Sequence, residues 1–248
     1  GVQTCALPIY NAENVGIGQA PESGYHANWT AVDVGNRGGL AQYKTAGDVT
    51  LTYNLYHDGA WKAKENAGSG RYVIGATPYH IWYNGASASA DGAVTLTEVM
   101  RIHDDGAVTK PKQPCFRASV QNSTGSTVGV QNNLTFNREN IDLNSDYDTS
   151  NGRFTAPVDG TYYFSHAGLG ASGSSGATHS SNASWHVEFL LNGSRTFFQF
   201  YWYAGNTSGG DTQAHYINSY MDMIITLSAG DYISVYYYHD NEIGRAHV

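Results

Sequence analysis

The chain is poor in cysteine, proline, methionine and charge. Its 248 residues include two cysteines, six prolines and three methionines, and 14% are Asp, Glu, Lys or Arg. So few cysteines exclude a small scaffold stapled by several disulfides. The shortage of charge, with no Ala/Glu/Lys/Leu excess, excludes a protein built from amphipathic helices. Thirteen basic residues against 21 acidic ones leave a net charge of −8. That balance argues against a basic face for nucleic acid or anionic membranes. No apolar run approaches the roughly 20 residues that cross a bilayer as a helix, so membrane insertion is not expected. No Lys/Arg-led signal segment opens the chain.

What is abundant is glycine and tyrosine. There are 29 glycines and 19 tyrosines, and aromatics make up 13%. This mixture favours strands joined by turns. Short β-rich runs stand at "VTLTYNLY" (49–56), "RYVIGA" (71–76), "HIWYNGA" (80–86) and "AVTLTEVMRI" (93–102). "HDG", "YNG" and "ADG" are expected to punctuate them as turns, because Asn-Gly and Asp-Gly accept the positive φ that tight hairpins require. The expected fold class is all-β.

The two ends are set apart from the fold. "GVQTCALPI" (1–9) and "EIGRAHV" (242–248) back-translate into stretches that are reverse complements of each other and resemble sequencing adapters. They are expected to be adapter-like scars with no fold, and the natural protein to continue beyond both. Setting them aside leaves Cys115 as the lone cysteine, without an intrachain disulfide. The remainder divides by style into a β-rich region at 10–112 and a second domain at 113–241. The first region carries a Val-centred strand followed by proline at both ends, Val15 before Pro21 and Val108 before Pro111, which hints at a modular cassette.

"ENVGIGQAP", "YNLYHDGAWK" and "ADGAVTLTEVMRIHDDGAV" resemble β-rich cassettes of bacteriophage tail-fibre proteins, with Met100-Arg101-Ile102 matching a recurrent phrase and Thr109-Lys110 departing from it. Short strands of small residues make a weak monomeric core, and wrapping three chains together would let them share one.

The stretch "SDYDTSNGRFTAPVDGTYYFS" reads as loop, turn, short strand, turn, strand. Asn151-Gly152 supplies the first turn and Asp159-Gly160 the second, with Pro157 confining its strand to an edge or an end. Alternation puts Tyr162 and Phe164 on one face and Tyr163 and Ser165 on the other. Tyr147, Asp148, Gly152, Phe154, Thr155, Pro157, Gly160, Tyr162 and Phe164 closely resemble the signature of the C1q/TNF superfamily globular head. "CFRASV" (115–120), Phe136 and Asn140, "WHVEFLLNGS" (185–194), and Leu227, Gly230, Asp231, Ile233 and Val235 extend the likeness across 113–241. The resemblance implies a jelly roll of two antiparallel sheets that assembles as a tight homotrimer. It also implies a last inner-sheet strand, which here would fall on the adapter-like end and so be missing, leaving unpaired edges.

Local chemistry yields no enzyme. "DLNSDYD" (142–148) opens like a calcium loop through Asp142, Asn144 and Asp146, but Tyr147 and Arg153 stand where an EF-hand needs Gly and Glu. It reads as a solvated loop; a calcium site near the trimer top, as the resemblance implies for some members, stays open. "GLGASG" (168–173) spells G-x-G-x-x-G without a βαβ unit and reads as flexible loop. The ten histidines are dispersed without ligand spacing. Asp104-Asp105 reads as a turn, and no nucleophile elbow, HExxH or P-loop occurs.

Six Asn-x-Ser/Thr sequons stand at Asn28, Asn122, Asn133, Asn182, Asn192 and Asn206. The aromatic runs "FFQFYWY" (197–203) and "YYYH" (236–239) exceed the needs of one core, and Tyr201, Tyr203, Tyr236 and Tyr238 are candidate trimer or ligand contacts. The Gly/Ser-rich stretch 168–184 is the expected contact loop. Together these point to a non-enzymatic trimeric adhesion module, tail-fibre-like and virion-borne or extracellular, whose C1q-like tip meets a host-surface glycan or protein and needs no cofactor. The alternatives are a secreted C1q-like lectin, a tailspike depolymerase acting in 10–112, and a purely architectural fibre module.

Overall fold

The structure, a computed structural model, describes residues 9–10, 14–77, 79–120, 131–172, 184–203 and 215–239. Cys5, Asn122, His179, Asn182, Asn206, His247 and both outermost termini lie outside them. Among the described residues there is no helix, in keeping with the strand-favouring, glycine- and tyrosine-rich composition. The chain divides into two compact units, 1–112 and 113–248.

The first unit carries β1 (Ile9–Tyr10), β2 (Asn14–Ile17), β3 (Trp29–Val34), β4 (Gly38–Tyr43), β5 (Val49–Tyr53), β6 (Leu55–His57), β7 (Trp61–Ala63), β8 (Ala67–Ile74), β9 (His80–Ala88), β10 (Leu96–Ile102) and β11 (Val108–Thr109). Nine of them form one sheet in the order β1-β2-β3-β4-β5-β8-β9-β10-β11, while β6 and β7 make a separate hairpin. Every ladder of the nine is antiparallel except β2 with β3. Alternation decides the faces. Trp29, Ala31 and Asp33 are buried in β3, as are Ala41 in β4 and Thr50 and Thr52 in β5.

Trp29 packs there against Tyr43, His57 and Trp61, with ring centroids 5.1–5.3 Å apart. The Arg71 guanidinium lies 4.4 Å over the Trp61 ring, a favourable cation–π placement. Beside this cluster the Lys64 ammonium donates to Asp33 Oδ1 at 2.5 Å. Both side chains are buried, 4% and 0% exposed. Asp33 also accepts from the Tyr25 hydroxyl at 2.9 Å and the Glu22 amide at 2.7 Å. A charge removed from water needs that density of partners.

"HDG" and "ADG" form the expected turns, the latter with Asp91 at φ 59°. "YNG" does not. Asn84 and Gly85 lie within β9, paired with Gly70 and Ser69 on one side and with Thr97 and Leu96 on the other. A Cβ on Gly85 would sit 2.5 Å from Val94 Cγ1. The glycine therefore serves close packing, the other reason a strand keeps one.

The second unit carries β12 (Phe116–Ser119), β13 (Gln131–Leu134), β14 (Arg138–Asp142), β15 (Tyr147–Asp148), β16 (Arg153–Thr155), β17 (Gly160–Ser172), β18 (Ser184–Leu191), β19 (Ser194–Tyr203), β20 (His215–Leu227) and β21 (Tyr232–His239). One layer runs β15-β16-β21-β18-β19, with β13 also pairing β21. The other holds β17 with β20, and β12 pairs β14. The chain changes layer between β16 and β17, β17 and β18, β19 and β20, and β20 and β21. That alternation makes a jelly-roll sandwich.

Its core draws on both layers: Phe154, Val187, Phe189, Ile233 and Tyr237 from one, Phe164, Met221, Met223 and Leu227 from the other. Phe116 stacks between Tyr147 and Phe154, with centroids at 5.0 and 4.9 Å and rings 8° and 14° from parallel. Among the described residues β17 makes one ladder, with β20, and β12 one, with β14. A cavity of about 310 Å³ is lined by β12 residues Phe116 to Ala118 and by Tyr163 to Ala167 of β17.

Candidate functional site on the outer face of the sandwich

The signature residues hold the frame. Gly152 closes the Asn151-Gly152 turn at φ +71°, and a Cβ there would lie 2.8 Å from the Leu134 carbonyl oxygen. Phe154, Tyr147 and Phe164 are buried. Tyr162 packs against that core while its hydroxyl donates to the Val158 carbonyl at 2.7 Å. Pro157 is exposed in the bend that leads to β17, and Gly160 opens that strand without a positive φ. The bend precedes Gly160, whereas an Asp159-Gly160 turn is the sequence expectation.

Gly230 reaches φ +91° in the β20–β21 turn. Asp231 Oδ2 accepts from the Ser228 amide and Oδ1 from Asn192 Nδ2, both at 2.8 Å. Asn192 Oδ1 in turn accepts from the Tyr232 amide at 2.9 Å. The Asn192 hydrogen bond, then that of Ser228, holds the Asp231 carboxyl below the usual carboxylate range. Gly230 donates to the Ala156 carbonyl, and Ala156 donates to the Asp231 carbonyl, both at 2.8 Å. Three turns are thus clasped together. The sequon asparagine Asn192 is one of the clasps, its amide nitrogen already engaged.

The other sequence candidates fall differently. Asp142 accepts from the amides of Asn144 and Asp146 at Oδ1 and of Tyr147 at Oδ2, which closes its loop. Among the described residues no group of three His, Cys, Asp or Glu is placed to hold a metal. Asp104-Asp105 is a turn, with Asp105 accepting from the Ala107 amide.

Gly168–Ser172 are not loop: they complete β17, paired with His215–Ser219. The ladder with β20 takes them up because Gly168 fits tightly over His166 and Ser219, where a Cβ would lie 3.0 Å from each. Of the expected contact loop, 173–183 lie outside the described residues.

Tyr201 and Tyr203 sit on β19 opposite His186 and Ser184. Tyr236 and Tyr238 sit on β21 opposite Glu188 and His186. These four therefore share one region of the β15-β16-β21-β18-β19 layer, around the buried pair His186 and Glu188, 3.6 Å apart.

The face that meets solvent lies on the other layer. The 13-residue ladder of β17 with β20 turns Tyr162, Phe164 and His166 inward with Met221, Met223 and Ile225. The intervening residues point out: Tyr163 is 59% exposed, Tyr220 61% and Ile224 69%. Tyr163 stands directly opposite Ile224, and Ala167 opposite Tyr220. A hydrogen bond with Tyr220, before any other cause, raises the Tyr163 hydroxyl above the usual phenol range. Three large side chains of this kind exposed on one face form a surface suited to recognition. The alternation of "TYYFS" and "YMDMIITL" encodes this face, whereas tyrosine density points to β19 and β21.

His166, on the inward face, packs near Phe136 and Tyr237. Burial pushes its imidazole down to about 4.

The globular domain of zebrafish complement 1qA protein is similar over 55% of this chain and 90% of its own, at 19% identity and a TM-score of 0.36. A search of curated proteins finds no match. The C1q domain family model matches residues 115–243, which is more than half of the chain and includes every strand from β12 to β21, and the chain therefore belongs to the C1q family.

Proposed function

We propose that this protein is a non-enzymatic, homotrimeric receptor-binding module of a phage tail fibre or related virion structure. Its C1q unit would serve as the tip that meets a host-surface glycan or protein. C1q domains are commonly trimeric recognition and adhesion modules, typically extracellular, and the match indicates no enzyme family. The observation that carries self-association is the outward row of Tyr163, Tyr220 and Ile224 on the rigid β17–β20 ladder. Aromatic and aliphatic anchors on a flat, preformed surface lose little freedom when covered. Three identical tips then multiply weak single contacts by roughly 100-fold or more in overall avidity. The tail-fibre assignment draws its support from the cassette-like sequence of 10–112. The net charge of −8 agrees with a partner other than nucleic acid. No helix among the described residues is long and apolar enough to cross a membrane.

The test is sedimentation equilibrium followed by binding to whole bacterial cells. The expected result is a species three times the 26.8 kDa chain mass that adheres to a host strain and is competed off by that strain's surface polysaccharide or outer-membrane protein. A monomer that binds no cell sinks the proposal; adhesion to animal glycoproteins alone would favour a secreted lectin.

A further inference from the structure

The first unit has no single large core. Its buried clusters are small: Trp29, Ala31 and Ala41 in one, and Leu55, Ala63 and Val94 in the other. The sheet face opposite Trp29 and Asp33 is a different matter. Strand register aligns Val32, Leu40, Leu51, Tyr72, Trp82 and Met100 in one directly opposed row across six strands. At about 4.8 Å per strand the row is roughly 24 Å long. Val49, Ile74, His80, Ile102 and Val108 form a second row beside it. Ile17 and Val34 pair on the same face at its far end. Leu40, Leu51, Ile74 and Val34 are 43–54% exposed.

No Asp, Glu, Lys or Arg occupies this face in β3, β4, β5, β8 or β9; the charged residues there, Asp33 and Arg71, point to the other side. A solvated sheet face is ordinarily polar, and the polar residues of this one, Thr30, Gln42 and Asn84, are all uncharged. Charge depletion around aromatic and aliphatic residues marks the centre of an interface.

We infer that this face is a second self-association surface, covered by the same face of other copies of this chain. The choice of a second copy rests on the self-association proposed for the C1q unit. Covalent attachment to a trimerising unit brings three such sheets to an effective concentration in the millimolar range. The two rows and the Ile17–Val34 pair cover about 500–700 Å², approaching the roughly 800 Å² per partner of a standard interface. Three sheets turned inward enclose one shared core by a closed three-fold arrangement, and no sheet face is left over.

The experiment uses the full chain with Cys5→Ser and Cys115→Ser, carrying Leu51→Cys on the face or Asp104→Cys in an exposed turn as the free-thiol reference. Maleimide labelling rates, short bis-maleimide cross-linking and sedimentation mass are read together. The expected result is at least tenfold slower labelling of Leu51→Cys than of Asp104→Cys, with cross-links between chains at Leu51→Cys. A trimer whose Leu51→Cys labels at the reference rate and does not cross-link overturns this inference and leaves the C1q proposal standing. A monomer with both thiols free overturns both. Protection at Leu51→Cys that persists in a Tyr163→Asp, Ile224→Lys background, with the oligomer retained, supports the sheet face and removes the C1q surface.

Discussion

At the scale of the residue, His166 and Gly152 answer to opposite constraints. His166 is neutral in the fold because burial among aromatic rings disfavours its charged form. Folded, it takes a proton near pH 4; unfolded, near 6.5. Between those values the unfolded chain binds more protons. The stabilising contribution is complete above pH 6.5 and is lost as pH falls toward 4, by up to about 3 kcal/mol. Urea midpoints measured from pH 7 to 4 should fall less steeply in His166→Leu than in the parent.

Gly152 is held by geometry alone: at φ +71° and 2.8 Å from a carbonyl oxygen, alanine is refused by both backbone conformation and space. Gly152→Ala should cost about 2 kcal/mol or more in denaturant unfolding. Gly152 was legible from its place after Asn151. His166 was not, because nothing local distinguishes a buried histidine from nine dispersed others.

At the scale of the element, the β17–β20 ladder separates frame from surface. Tyr163→Asp with Ile224→Lys, opposite charges directly across the ladder on the exposed face, should leave the melting temperature of the isolated fold nearly unchanged. The same pair should shift the sedimentation mass toward the monomer. The turn clasp at Asp231 belongs to the same scale. Its carboxyl is held low in the folded chain, so its contribution is present above the ordinary Asp range and is lost as pH falls through the folded value. Asp231→Ala should lower the melting temperature at pH 7, and the difference from the parent should shrink as the pH is taken down through the acid range.

Strands announced by alternation, such as Thr161–Ser165, could be read directly. Gly168–Ser172 could not, because glycine and serine suggest a loop until the 13-residue partner strand is known. Asn84-Gly85 misled for the same reason: the dipeptide fits a turn locally, and the packing of Val94 that demands a glycine comes from residues further along the chain.

At the scale of the whole molecule, two compact units carry separate cores. Phe154→Ala, from a residue 2% exposed, should cost the C1q unit about 3–5 kcal/mol. In calorimetry it should lower the transition of the C1q unit and leave that of the first unit in place. The C1q unit was legible because its turn glycines and aromatics recur at fixed spacing. The first unit gave only its strand content, because its long-range order, including the parallel β2–β3 step and the hairpin excluded from the sheet, depends on contacts no short motif encodes.

The buried Asp33–Lys64 pair bears on how such a sheet changes over generations. Replacing either member alone strands its partner's charge in a dry interior, at a cost of about 3–5 kcal/mol. Single-step drift at these two positions is therefore blocked. Related sequences should keep both residues or exchange both for apolar ones, and one found with only half of the pair should prove difficult to fold.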